Sequence, residues 1–189
     1  MKKLLLLVVA LSFVAVGCGS KEPESVPAMH ACLVGAPDWV INGGVEGGLS
    51  GVGSAQIGKA GINFARTEAL SVGRDEIARI LSVKVNNMFK NFTQSTGIGD
   101  EETVDKVSAN VSKQIASQMI SGSKQMGSWV SPCNELYILV GIDAQMAQQA
   151  IKEQSISSFK NERALYQQFL AQKGQEELEE AIKNEFKAQ

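Results

Sequence analysis

Apolar positions along the 189-residue chain change their spacing several times, and each spacing predicts an element. Leu49-Ser50-Gly51-Val52-Gly53-Ser54-Ala55 reads as a first strand, with Gly51 and Gly53 allowing another backbone to approach closely. From Lys59 to about Gln94 the pattern turns helical, with Ala65, Ala69, Gly73, Ile77, Leu81, Val85 and Met88 three or four positions apart. Gly73 costs about 1 kcal/mol relative to Ala in mid-helix, which a close packing contact would explain. Gly97 and Gly99 end this helix. Asp100-Glu101-Glu102 opens another, with acids where the helix dipole favours them and a stripe of Val104, Val107, Val111, Ile115 and Met119.

The period then shortens. Ser121 to Val130 reads as an exposed or edge strand, Ser131-Pro132-Cys133-Asn134 as a tight turn, and Leu136 to Ile142 as the clearest strand. Asp143 can cap a helix carrying Met146, Ala147, Ala150 and Ile151. Strand, two helices, hairpin, helix is the order of an α+β fold: a small antiparallel sheet packed with helices. The tail, residues 153–189, adds a C-terminal amphipathic helix with Phe159, Tyr166, Phe169, Leu170, Leu178, Ile182 and Phe186, interrupted at Lys173-Gly174. Such a stripe is buried either on its own domain or against another copy or partner, the remaining reading being a partly disordered tail.

The N-terminus has a different logic. Lys2 and Lys3 precede an apolar run from Leu4 to Val16, broken only by Ser12, and Ala15-Val16-Gly17-Cys18 closes it. The run is within the roughly 7–15 residues of a secretory signal core and short of the roughly 20 needed to span a membrane. A small residue followed by Cys reads as a lipobox, although Ala15 replaces the more usual Leu. Residues 1–17 are thus expected to be a lipoprotein signal peptide, with Cys18 as the lipidation site. Gly19, in place of an Asp, favours the outer membrane. Residues 18–31, with Pro23 and Pro27, read as a lipidated tether, followed by a domain over 32–152.

Lipid on Cys18 leaves Cys32 and Cys133, which are either a disulfide, as an exported compartment permits, or two separate thiols. The formal charge is −2, and −4 without Lys2 and Lys3, so nucleic acid is not an expected partner. His30, the only histidine, lies in the tether. Gly51-Val52-Gly53 lacks the third glycine of a dinucleotide fingerprint, Gln56 standing there. The acidic clusters, Glu101-Glu102 and Glu176-Glu177 with Glu179-Glu180, read as solvated helix faces. No catalytic residue, cofactor or metal site is expected, and the chain does not read as an enzyme. Trp39, after Pro37-Asp38, reads as a packing anchor that together with Trp129 could instead line a groove.

Several blocks in series resemble the Lpp-twenty family of bacterial outer-membrane lipoproteins, first recognised in Helicobacter. They are Gly35-Ala36-Pro37-Asp38-Trp39-Val40, Gly51 to Ala55, Ala65-Arg66, Arg74-Asp75-Glu76-Ile77-Ala78-Arg79, and Trp129 with Leu136 to Val140. The resemblance covers about residues 33–152. It implies a compact α+β envelope lipoprotein without known catalytic residues, while the lipid anchor, the absent chemistry and the striped tail point to a structural or assembly role at the membrane. Some relatives associate with the flagellum, one type forming a disk around the motor. No residue motif carries that role, and the tail lies outside the shared region. The competing function is a binding module for a small molecule, a lipid or a cell-wall component.

Overall fold

The computed structural model describes residues 31–45 and 49–187; the leader, Cys18 and His30 lie outside them. A short helix α1 (Asp38–Ile41) precedes strand β1 (Leu49–Gln56) and two long helices, α2 (Ile62–Thr96) and α3 (Glu101–Gly122). The hairpin β2 (Lys124–Val130) and β3 (Glu135–Ile142) follows, then α4 (Ala144–Asn161), α5 (Arg163–Ala171) and α6 (Gly174–Glu185). The three strands form an antiparallel sheet in the order β1-β3-β2, so the most apolar strand is central. This is the α+β class that the strand–helix–hairpin order predicts.

The seven positions of the α2 stripe are all buried, from Ala65 to Met88. Two of them, Ala69 and Gly73, are small where the helix meets the sheet. A β-carbon on Gly53 would lie 1.9 Å from the Ala69 carbonyl oxygen, and one on Gly73 would lie 2.7 Å from Val140 Cγ2. Strand and helix backbones therefore touch, bringing Ile138 and Val140 of β3 under the helix, where both are fully buried. Gly97, at φ 67°, terminates α2 in the left-handed conformation. Asp100 caps α3 by accepting from the Thr103 N–H, and Asp143 caps α4 by accepting from Met146 N.

Two boundaries differ from the sequence pattern. Ser121 belongs to the end of α3, not to β2, which begins at Lys124. Helix α4 runs unbroken through Lys152 and Glu153, so the division between domain and tail at 152/153 falls inside a helix. The tail helices pack back on α2 and α4. Phe159 stacks on Phe92 and meets Phe89 edge-on, at centroid distances of 5.7 and 5.8 Å, and Phe169 lies 4.9 Å from Phe159. Leu165, Leu178 and Ile182 complete this cluster. Lys152 pairs with Glu179 at 2.6 Å, and Lys84 donates to the Glu185 carbonyl at 2.9 Å beneath Phe186.

Candidate functional site

Helices cover one face of the sheet, and among the described residues the segment from 31 to 45 lies against the other. On that outer face the side chains fall in rows: Ser50, Gly141 and Lys124; Val52, Leu139 and Gly127; Ser54, Tyr137 and Trp129. The indole of Trp39 lies over Gly127, with Cε2 and Cζ2 3.6 Å from where a β-carbon would stand. This is the packing role read from the sequence. Trp129 instead pairs with Tyr137 at 5.5 Å, and both are half-buried. The register shift between Gln125 and Gly127 leaves Met126 over Gly141, with its side chain 62% exposed. Burial, followed by its bond to Glu135, raises the Tyr137 pKa and keeps the phenol protonated, so it donates to Glu135 Oε2 at 3.0 Å.

This segment is fixed to the sheet at one end. Cys32 and Cys133 form a disulfide with Cα atoms 5.1 Å apart, across 101 residues of sequence. Cys133 sits in the β2–β3 turn, which closes when Asn134 N donates to the Ser131 carbonyl at 3.0 Å. Asn134 takes φ 62°, and its side chain donates to the Ile57 carbonyl at 2.8 Å while Ile57 N donates back to the Asn134 carbonyl at 2.9 Å. Gln56 Nε2 donates to the carbonyls of Cys133 and Asn134. Three stretches thus meet at one end of the molecule: the residues after Cys32, the β2–β3 turn and the β1–α2 loop.

A second candidate lies between the two long helices. A groove of about 660 Å³ is lined by Asn86, Lys90, Thr93 and Gln94 of α2 and by Asp105 and Ser108 of α3, among others. Ser108 donates to Asn86, and the buried Thr93 hydroxyl has no hydrogen-bond partner among the described residues. The sequence reading passed over this groove. Its signal was the column Asn86, Lys90, Gln94, polar at four-residue spacing beside the buried stripe.

The acidic clusters are dispersed. Glu102 pairs with Lys106 on its own helix, and Glu179 is drawn below the ordinary carboxylate pKa by its bond to Lys152. Among the described residues no three His, Cys, Asp or Glu side chains gather to hold a metal ion, and no helix is long and apolar enough to cross a membrane.

The arrangement defines a small α+β domain with its N-terminal strap joined covalently to its central hairpin. The sequence profile of the LPP20 lipoprotein family matches residues 37–143, and the chain belongs to that family. Membership makes it a membrane lipoprotein of the cell envelope. The match begins in the strap and ends at the cap of α4, leaving the tail helices outside it. No curated protein matches the chain.

Proposed function

We propose that the protein is a structural or assembly lipoprotein of the outer membrane, anchored by lipid on Cys18 after removal of residues 1–17, and without catalytic activity of its own. The observation that supports this most is the β2 edge. Every residue of β2 is exposed or half-buried, with Met126 exposed on the same face as the Trp129–Tyr137 pair. An edge strand offers unpaired N–H and C=O groups to another chain, and an adjacent aromatic pair supplies apolar area. The partner in this reading is a second copy or another envelope protein, and flagellar association is its narrower form. Photocrosslinking from Ser128 in intact cells tests it. Discrete adducts of a copy or an envelope protein are expected, whereas no adduct, with a monomer at high concentration, would count against assembly.

The groove between α2 and α3 supports the second reading, a binding module. Its mixed lining and the unpartnered Thr93 hydroxyl suit a small polar ligand. A cell-wall fragment that raises the melting temperature of the wild type but not of Lys90→Ala would favour it over assembly.

A further inference from the structure

The end of the molecule where Cys32 enters carries exposed apolar side chains with no packing role in the fold. Phe64 is 61% exposed in the first turn of α2, and Ile62 beside it is also exposed. Val34 stands two residues beyond Cys32, and Val130 closes β2 at the turn, in the row of Leu136 and Ala55; both are exposed. The elements that carry them are held together by the disulfide and by the Asn134–Ile57 and Gln56–Cys133 hydrogen bonds.

Chain length says what meets it. Fourteen residues, Cys18 to Ala31, precede Cys32, and covalent geometry limits them to about 50 Å even when fully extended. Helix α2 is itself about 50 Å long at about 1.5 Å per residue over its 35 residues, and it starts at this end. A lipid on Cys18 therefore keeps the Phe64 end within reach of the bilayer, whereas the Phe92 end can stand a helix length further away. The disulfide sharpens this, because the tether enters at the β2–β3 turn and cannot peel away from the sheet to lengthen itself.

We infer that this end is a membrane-facing surface, with Phe64, Ile62, Val34 and Val130 resting in the headgroup region of the bilayer that holds the lipid. The inference depends on the anchor at Cys18 proposed above. Single apolar residues on a surface need no explanation; these four stand on the elements that the disulfide and the turn hydrogen bonds bring together at the anchor's point of entry. The contact is driven by apolar burial and is expected to persist at high salt.

The test uses the full-length lipidated protein in vesicles of phosphatidylethanolamine and phosphatidylglycerol. Phe64→Cys, and separately Lys160→Cys, supplies a thiol for an environment-sensitive fluorophore, lipid occupying Cys18 and the bridge occupying Cys32 and Cys133. Both sites are exposed, and Lys160 follows Phe159, which packs near the far end of α2. The probe at position 64 is expected to emit at shorter wavelength and to be quenched by lipid brominated on its acyl chains, while the probe at 160 keeps its aqueous emission. Equal aqueous emission from both, in protein whose mass confirms the lipid, overturns the orientation alone. A wavelength shift at 64 without bromine quenching means that another copy covers Phe64, and also overturns it. A mass without lipid on Cys18 overturns the anchor and the orientation together.

Discussion

Gly53 of β1 lies directly against Ala69 of α2, so close that a β-carbon on the glycine would stand 1.9 Å from the Ala69 carbonyl oxygen and 2.4 Å from Gly73 N. Both neighbours are backbone atoms within a helix, which cannot swing aside as a side chain can. Gly53→Ala must therefore push helix and sheet apart, and it is expected to cost about 3 kcal/mol or more. Gly58, with nothing within 4 Å, is the control: Gly58→Ala should change stability by less than about 0.5 kcal/mol. Urea unfolding of the two variants checks both values.

The Cys32–Cys133 bridge closes a loop of 101 residues. On the chain-entropy account, a loop of about 100 residues contributes up to about 4.7 kcal/mol by restricting the unfolded chain. Adding reductant should lower the melting temperature of the wild type. The Cys32→Ser/Cys133→Ser variant should melt at the reduced value and ignore the reductant.

Residues beyond the family match are part of the core. Phe159→Ala empties a site enclosed by Phe89, Phe92 and Phe169, at an expected cost of about 3–5 kcal/mol. A chain ending at Lys152 loses Phe159, Phe169, Leu178 and Ile182 together and uncovers Phe89 and Phe92. Such a chain is expected to bind an apolar dye and to lose cooperative unfolding.

Asp100 offers a pH test. The Thr103 N–H, then the Thr103 hydroxyl, bind its carboxylate and hold its pKa below the ordinary value. A folded-state pKa below the unfolded one stabilises the fold above the unfolded pKa, and the gain is lost as pH falls through the folded value. Asp100→Asn keeps a capping acceptor without the charge. The wild type should be the more stable at pH 7, and the gap should close as pH falls below about 4.

Periodicity made the helices legible because burial on one face leaves a direct trace at three- and four-residue spacing. The stripe from Ala65 to Met88 is buried at each position, and the small residues at 51, 53 and 73 pointed to the close helix–strand approach. Phe89 and Phe92 were not part of the stripe, since their partners Phe159 and Phe169 come from a tail about 70 residues away, and no local pattern specifies that return. The Asn86–Lys90–Gln94 column was overlooked for a related reason, because polar residues on a helix face look solvated until a second helix stands opposite. The cysteine pair remained open at the sequence level because pairing depends on distance: the structure brings Cα atoms 101 residues apart to 5.1 Å.

The bridge also fixes how the protein would carry a mechanical load. Tension from a membrane anchor reaches Cys32 first and divides there, one branch passing through sulfur to Cys133 at the turn into the central strand. The strap and β1 are thereby spared the full pull, because the bridge carries part of it directly into the β2–β3 turn. A fold stapled in this way resists unravelling from its tethered end.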